Sequence, residues 1–363
     1  MKELSLHLNK NKTLFLLGSA VLNLMEGEAC ILGGPLQPGR EIKVRKGRAI
    51  PVYCKTDSTF KIVLGEEASF HEVEGNTIPE DWYNVVEEIL NVAKKDNSTV
   101  MVVGGVDVGK TTFTIFLANM ALKRVLKVNL IDADIGQSDV GPPATIGTYH
   151  PDHYTYDLFY EKPDKLVFIG STTPANTQTK IIKAVSSLCN ESKQKFNLTV
   201  LNTDGWIEGE EAQNYKFRMA KETKTDFVVV FQFLDETINL VQRLRMEGLR
   251  VFEVKPSSYV KKRSREERRK LRWQAYQKYM QNAVIKNVRL GEVEILGLNC
   301  WKEGLLLGLY KDEKEFLGLG VLKGIDIRRG ILKILTPVRE SIHRIEVGQT
   351  TFELNLKPKQ TQT

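Results

Sequence analysis

Three groups of residues in this chain have the types and spacing that phosphate chemistry requires. The first is a glycine-rich loop, Gly104-x-x-x-x-Gly109-Lys110-Thr111, between a β-branched run and a helical pattern. In that context the loop is a P-loop, whose backbone N–H groups and following helix N-terminus surround phosphate oxygens. The sequence therefore predicts a nucleoside triphosphate site. Its residues are Gly104, Gly105, Val106, Asp107, Val108, Gly109, Lys110, Thr111 and Thr112.

Two side chains of this loop have predicted roles of their own. Lys110 is expected to reach the β- and γ-phosphates, and the Thr111 hydroxyl is expected to hold Mg²⁺ or another divalent cation. The alternative is a glycine turn with an incidental Lys-Thr pair. Four fixed positions in the right context disfavour that alternative.

The second group is a pair of carboxylates, Asp132 and Asp134, after the predicted strand 126–131. Residues at i and i+2 on a strand point the same way, so both can face one site. We expect adjacent parallel strands to bring them beside the P-loop. There Asp132 could hold the metal, and an acid could accept a proton from an attacking hydroxyl. The alternative is a pair of strand-end acids that cap the next turn.

The third group is basic: residues 261–272 contain eight Lys or Arg and two Glu. Ser264-Arg-Glu-Glu267 is a capping box, which predicts a helix from Arg265. Such a helix can close arginines over a triphosphate, although a solvated amphipathic helix is the alternative. The arginines expected on one face are Arg265, Arg268 or Arg269, and Arg272, with Arg263 just before the helix.

Two further features have competing interpretations. Thr223-Lys-Thr-Asp226 resembles a guanine-reading motif, but it precedes the predicted strand 227–233 instead of following it. We therefore expect an accidental match and favour ATP. Trp206 follows a predicted strand end and could either stack a nucleobase or plug the core.

Composition limits the classes of protein. A net charge of +7, with 42% hydrophobic and 27% charged residues, is typical of a soluble globular chain, and the basic segment carries most of the surplus. Four scattered cysteines disfavour a disulfide framework or a zinc site. No apolar run reaches the roughly 18 residues of a membrane span. Residues 13–25 resemble a signal peptide weakly, and we expect a cytoplasmic protein with no membrane partner.

The pattern of elements predicts an α/β fold with a central P-loop domain, a mostly parallel sheet, and small β domains on both sides. Residues 1–78 are the predicted N-terminal β-sandwich or barrel, and its basic cluster 40–48 is interpreted as a solvated edge. Residues 79–283 are the predicted P-loop domain, with an arginine lid at about 261–282. Residues 284–363 form a second β domain with a disordered tail. The helices are predicted at 80–94, 110–123, 177–188, 210–222 and 235–246.

With these residues in hand, the chain resembles the polynucleotide 5′-hydroxyl-kinase family, which includes the eukaryotic RNA kinases of tRNA and pre-mRNA processing. The resemblance covers most of the chain and rests on an ordered set of motifs. They are Gly104–Thr112, Asp132-x-Asp134-x-Gly136-Gln137, Thr172-Thr173-Pro174, Asn202-Thr203-x-Gly205-Trp206, and the arginines Arg263, Arg268 and Arg272.

The resemblance implies a reaction and a set of roles. The γ-phosphate of ATP would move to the 5′-hydroxyl of RNA, and often also of DNA, with Mg²⁺. Asp134 would be the base, Trp206 would stack a nucleotide, and the arginines would form a lid. Gln137, Thr172 and Thr173 are the further implied substrate contacts.

Two rival functions stay open at this point. One is a non-catalytic ATP-holding scaffold of an RNA-processing assembly, and the other is a P-loop ATPase switch. The sequence does not decide the oligomeric state, the RNA-processing protein partners, or the preference between RNA and DNA.

Overall fold

A computed structural model describes residues 1–231, 237–297 and 301–352. Parts of the predicted strand 227–233 and helix 235–246, together with Cys300 and the predicted disordered tail, lie outside these ranges. Within them, no helix combines the length and apolarity that a membrane span needs. Cys30, Cys54 and Cys189 are buried free thiols.

The N-terminal part consists of nine short strands. They are β1 (Lys2–Leu8), β2 (Lys12–Leu17), β3 (Ala20–Glu26), β4 (Ala29–Ile31), β5 (Gly34–Pro35), β6 (Ile42–Val44), β7 (Ala49–Cys54), β8 (Ser58–Leu64) and β9 (Ser69–Glu74). They form a four-stranded sheet of order β1-β8-β3-β6 and a five-stranded sheet of order β5-β4-β7-β2-β9. Period-2 alternation turns one set of apolar side chains inward from each sheet.

The central part alternates strands and helices. Its helices are α1 (Glu80–Ala93), α2 (Lys110–Lys123), α3 (Gln178–Lys193), α4 (Gly209–Glu222), α5 (Ile238–Met246) and α6 (Arg265–Tyr279). Its strands are β10 (Ser98–Val103), β11 (Val128–Ala133), β12 (Thr145–Tyr149), β13 (Lys165–Phe168), β14 (Leu198–Thr203), β15 (Phe227–Phe231) and β16 (Arg250–Val254). The sheet order is β13-β12-β11-β14-β10-β15-β16. The five strands β11, β14, β10, β15 and β16 are parallel to one another, whereas β12 pairs antiparallel with both β11 and β13.

Two cores cover the two faces of this sheet. On strand β10, Val100 and Val102 face a core that contains α1, α2 and the apolar side chains of both N-terminal sheets. Met101 and Val103 face the other core, formed with α3, α4 and α5. The central strand is therefore buried on both sides, as its unbroken apolar sequence predicts.

The C-terminal part forms one six-stranded sheet. Its strands are β17 (Val284–Arg289), β18 (Glu294–Leu296), β19 (Leu305–Tyr310), β20 (Phe316–Asp326), β21 (Ile331–Thr336) and β22 (Arg344–Thr351), in the order β17-β21-β20-β19-β22-β18. Phe168, at the end of β13, packs with Leu306, Leu319 and Val321 of this sheet. The C-terminal sheet thus covers the edge of the central sheet beside β13.

The predicted α/β fold with a central P-loop domain is confirmed, while several local predictions were incomplete. Strands β5, β9, β12 and β17 were not predicted. Strand β12 has the sequence Thr-Ile-Gly-Thr-Tyr and is buried throughout, so its short run lacks the polar alternation that marks a half-buried strand. One spatial prediction was wrong: β14 lies between β10 and β11, so the acidic strand is not the immediate neighbour of the P-loop strand.

Candidate active site

The P-loop has the backbone that a phosphate cradle needs. Gly104 and Gly109 have φ angles of 158° and 104°, and a Cβ on Gly104 would lie 2.7 Å from the Cβ of Phe231. Helix α2 begins at Lys110, immediately after Gly109. The N–H groups of its first turn have no partner within the helix, and they face the loop.

Lys110 is held inside this loop. Its Nζ donates to the carbonyl oxygen of Gly105 at 2.6 Å, and the side chain is buried. Burial lowers the pKa of Lys110 to about 8, although the Asp134 carboxylate opposes that change. Thr111 and Thr112 follow on the first helical turn, and together with Lys110 they line a cavity that the P-loop borders.

Asp132 and Asp134 both accept hydrogen bonds from the turn that follows β11. Asp132 Oδ2 accepts from Ser138 Oγ at 3.1 Å and from the N–H groups of Asp139 and Val140 at 2.7 and 3.2 Å. Asp134 Oδ1 accepts from the N–H groups at positions 136 and 137, at 3.2 and 2.9 Å. The turn-capping interpretation therefore describes part of what both carboxylates do.

Their exposure separates the two acids. Asp132 is 2% exposed, whereas Asp134 is half-buried and lines the cavity together with Lys110. Burial raises the pKa of Asp132 to about 6, and the nearby Asp134 and Asp139 carboxylates add to this. Burial also raises the pKa of Asp134, against the opposing charge of Lys110. Asp134 is thus the carboxylate that can meet a ligand beside the P-loop.

Asn202, at the end of β14, links the acidic strand to the P-loop. Its Nδ2 donates to Asp132 Oδ1 at 3.0 Å and to Thr111 Oγ1 at 3.3 Å. Its Oδ1 is buried and has no hydrogen-bond partner among the described residues. Because β14 separates β10 from β11, the P-loop and the acids are two strand spacings apart, roughly 10 Å.

The oxygens of Thr111, Asp132 and Asn202 fit a hard divalent cation. Mg²⁺ prefers oxygen ligands and is usually bound by one or two carboxylates together with substrate phosphates and water. Asp132 already accepts hydrogen bonds from five donors, counting the backbone N–H of Asp134, so its contact with a metal would run through water. The described residues contain no cluster of three or more acidic, His or Cys ligands.

The loop after β14 abuts the P-loop. A Cβ on Gly205 would lie 2.6 Å from Val106 Cγ2 and 2.9 Å from its backbone nitrogen, so glycine permits this approach. Asp204 accepts from the Trp206 N–H at 2.9 Å and forms a buried ion pair with Lys216 at 2.8 Å. Trp206 is half-buried and packs on Tyr215, with ring centroids 5.9 Å apart. One part of the indole ring therefore joins the core, and another part faces solvent.

The Thr172-Thr173 segment borders the acidic turn. A Cβ on Gly136 would lie 2.9 Å from the carbonyl oxygen of Thr172. Thr172 is half-buried and Thr173 is exposed. Gln137, on the same turn, reaches the lid, since its Nε2 donates to the carbonyl oxygen of Arg268 at 3.4 Å. The segment and the turn therefore form one continuous surface beside Asp134.

The predicted lid helix is α6, and its capping box between Ser264 and Glu267 is present. Arg263 and Arg268 both contact Asp107 of the P-loop, at 2.9 and 3.1 Å. Arg272 is half-buried and lines a small cavity beside Gln137. Arg265 and Arg269 are exposed. Of the three arginines between which the sequence did not decide, Arg268 is therefore the one at the loop.

The interpretation of the N-terminal basic cluster as a solvated edge was wrong for two of its residues. Arg45 is 9% exposed and pairs with Asp139 at 2.5 Å and Asp157 at 2.8 Å. Arg48 also pairs with Asp139. Burial alone would raise the pKa of Asp139, but these two guanidinium groups hold it well below its usual range. The N-terminal part thus contacts the turn that carries Asp134, and no local sequence signal links positions so far apart.

A cavity of about 480 Å³ connects these elements. The P-loop and Asp134 form its floor, and the lid helix forms one wall. The opposite wall comes from the N-terminal strands and α1, with Phe15, Pro51 and Trp82 among its apolar residues. The Thr223-Lys-Thr-Asp226 motif lies away from it: Asp226 accepts from the N–H of Thr99, at the start of β10, so the dismissal of this motif is confirmed.

The fold and the site define a P-loop nucleotide-binding protein with an arginine lid. Residues 104–282 match the family model for the mRNA cleavage and polyadenylation factor CLP1 P-loop. A polyribonucleotide 5′-hydroxyl-kinase of Methanocaldococcus jannaschii is 27% identical over 339 residues, covering 77% of this chain and 93% of the relative. The polyribonucleotide 5′-hydroxyl-kinase Clp1 of Danio rerio is 27% identical over 357 residues, covering 91% of this chain and 78% of the relative.

The fold has a counterpart among solved structures. A structure of wild-type Clp1p in complex with Pcf11p superposes with a TM-score of 0.77 at 12% identity, covering 97% of this chain and 98% of that one. The family model and the named relatives support a member of the polynucleotide 5′-hydroxyl-kinase family, as the sequence motifs predicted, and the solved structure shows the same fold. Its P-loop is accordingly that of a kinase family, which uses ATP.

Proposed function

We propose that this chain is an ATP-dependent polynucleotide 5′-hydroxyl kinase that phosphorylates RNA ends. The observation that carries the proposal is one cavity, which Lys110, the P-loop and Asp134 line together with Arg263 of the lid, while Arg268 contacts the P-loop through Asp107. Relatives named polyribonucleotide 5′-hydroxyl-kinase, at 26–27% identity over most of their length, support the same activity.

ATP fits the cavity in one direction. The P-loop N–H groups and Lys110 receive the phosphates, and the apolar wall of Phe15, Pro51 and Trp82 is left for the adenine ring. Thr111 and, through water, Asp132 would hold Mg²⁺, which neutralises phosphate charge when it is bound. The orphaned carbonyl oxygen of Asn202 supports this placement.

The transfer step assigns a role to each remaining group. The acceptor 5′-oxygen forms a bond to the γ-phosphorus, the bond from that phosphorus to the β-bridging oxygen breaks, and ADP leaves. Asp134 accepts the proton of the 5′-hydroxyl, for which its raised pKa is suited. Arg263, Arg268 and Arg272 offset the negative charge that spreads over the transferring group.

The acceptor is expected to reach Asp134 over the surface formed by Gln137, Thr172, Thr173 and Trp206. Thr173 and part of Trp206 are accessible there, which leaves room for a flexible chain end and a stacked base. We propose RNA as the principal acceptor because the named relatives are polyribonucleotide kinases.

One assay tests the function against its two rivals. The chain is incubated with γ-labelled ATP, Mg²⁺ and a 5′-hydroxyl RNA oligonucleotide, with the 5′-phosphorylated oligonucleotide as the matched control. Label on the 5′-hydroxyl RNA alone supports the kinase. Label released as free phosphate with no acceptor dependence indicates an ATPase switch, and tight ATP binding without turnover indicates a scaffold. A DNA oligonucleotide of the same sequence reports whether the 2′-hydroxyl is needed.

A further inference from the structure

Asp107 is one of the four residues between Gly104 and Gly109 of the P-loop, and it contacts the lid in three ways. Its Oδ1 accepts from Arg263 Nη1 at 2.9 Å, and its Oδ2 accepts from the Arg263 backbone N–H at 3.0 Å and from Arg268 Nη1 at 3.1 Å. The carboxylate is 9% exposed. A single P-loop side chain therefore holds both the start of the lid and an arginine one turn into its helix.

The other end of the lid is anchored independently. Trp273 and Tyr276 pack on Phe352 of the C-terminal part, each with ring centroids 5.1 Å apart. Tyr279 donates to the carbonyl oxygen of Val140 at 3.0 Å. The buried residues of α6, Ala275 and Tyr276, also lie in this second half. Its first half is largely exposed, so the contacts to Asp107 have a large share in fixing its position.

The contacts leave part of each guanidinium available. Asp107 uses one terminal nitrogen of Arg263 and one of Arg268, and the latter also donates to the Arg263 carbonyl oxygen at 2.9 Å. The Nε of Arg263 is buried and has no hydrogen-bond partner among the described residues. A buried, unpaired N–H of a charged group costs free energy, and an anionic oxygen would satisfy it. The arrangement suits a phosphate ligand that is bound beside Asp107.

We propose that Asp107 is a positioning residue that docks the first half of the lid on the P-loop and thereby orients Arg263 and Arg268 towards the transferring phosphate. The inference rests on the proposed kinase function and adds to it a residue that acts through the arginines. Asp107 has a φ of 56°, a conformation that Asp tolerates better than most side chains. The backbone that cradles the phosphate and the side chain that docks the lid therefore belong to the same residue, so lid position depends on loop conformation.

The test compares Asp107→Asn with Glu266→Gln in the full chain. The first change removes the charge and replaces one acceptor oxygen by an NH₂ group. The control removes an exposed carboxylate on the lid that pairs with Lys270. Limited trypsin digestion without nucleotide is followed by mass spectrometry at the eight basic sites of residues 261–272. The exposed Arg328-Arg329 turn serves as the internal reference.

For Asp107→Asn we expect lid cleavage to accelerate at least fivefold, with the reference turn unchanged. We further expect kcat for RNA phosphorylation to fall at least tenfold while KM for ATP stays within threefold, because the arginines act on the transferring group. The triple variant Asp107→Asn/Arg263→Gln/Arg268→Gln should be no more than twofold slower than Arg263→Gln/Arg268→Gln, because Asp107 acts through both arginines.

Three results would overturn the inference: unchanged lid cleavage, a kcat within twofold of the parent protein, or a raised KM for ATP at unchanged kcat. Faster cleavage at the reference turn as well would indicate general unfolding, and this too would count against a positioning role. If the parent protein labels no 5′-hydroxyl RNA, the proposed function has failed. The digestion then still decides whether Asp107 docks the lid.

Discussion

Replacing Asp134 by Asn separates the two things that its carboxylate can do. Oδ1 accepts hydrogen bonds from the N–H groups of Gly136 and Gln137, and an amide oxygen can accept both. The amide cannot take up a proton from the 5′-hydroxyl. Asp134→Asn thus preserves the turn and removes the base, whereas Asp134→Ala removes both.

The size of each loss follows from these roles. A positioned general base contributes about 10²- to 10⁴-fold, or roughly 3 to 5 kcal/mol of activation free energy. The two hydrogen bonds contribute about 1 kcal/mol each to stability. We therefore expect Asp134→Asn to lower kcat about 100- to 10,000-fold at nearly unchanged melting temperature. Asp134→Ala should lose the same activity and also about 2 kcal/mol of stability.

The assay is single-turnover transfer of labelled phosphate to 5′-hydroxyl RNA, combined with ATP binding and thermal unfolding of each variant. ATP affinity should stay within a few-fold in both, because the P-loop is intact. Near-normal turnover by Asp134→Asn would refute the assignment of Asp134 as the base. It would leave turn capping as the role of this side chain.

Three further predictions address the other parts of the site. Lys110→Ala should lose both ATP binding and transfer. In the parent protein, kcat/KM for ATP, measured by labelled transfer, should fall about tenfold per pH unit above pH 8, because burial lowers the pKa of Lys110 to about 8 and its neutral form cannot pair with phosphate. A flat profile up to pH 9.5 would contradict this. Trp206→Ala should raise KM for the RNA acceptor about 5- to 150-fold, from the roughly 1–3 kcal/mol of base stacking, and leave KM for ATP unchanged. A change confined to thermal stability would assign Trp206 to the core instead. Arg45→Gln should lower the free energy of unfolding, measured by denaturant titration, by about 3 kcal/mol, because it leaves the buried carboxylate of Asp139 and the half-buried one of Asp157 short of a partner. The control, Lys43→Gln at an exposed position, should change it by less than about 0.5 kcal/mol. Equal effects would show that the Arg45 ion pairs contribute little.

The parts of the fold that the sequence predicted well are those with strong local signals. Helix α2 was predicted at its observed bounds, because the P-loop motif marks its first residue. In the structure Gly109 adopts the left-handed conformation immediately before that residue. The start of α6 followed from the Ser264 capping box. In both cases the deciding residues lie within one helical turn of the boundary, where side-chain and backbone preferences dominate.

The parts that were missed depend on residues far apart in the chain. The order of strands in space is not written in any one strand, so the position of β14 between β10 and β11 could not be read locally. Arg45 and Asp139 are 94 positions apart, and nothing near either residue reveals the partner. A run of basic residues predicts exposed arginines, and an arginine is buried only where the fold places a carboxylate beside it.

The core shared by the N-terminal sheets, α1 and α2 has a consequence for how this protein can be divided. One face of the nucleotide-binding sheet is completed by side chains that belong to the first 80 residues. A fragment beginning at the P-loop strand would expose that apolar face to water and should aggregate. The N-terminal strands are thus an integral layer of the phosphotransferase. The N-terminal sheets and the nucleotide-binding sheet should denature together as a single cooperative unit.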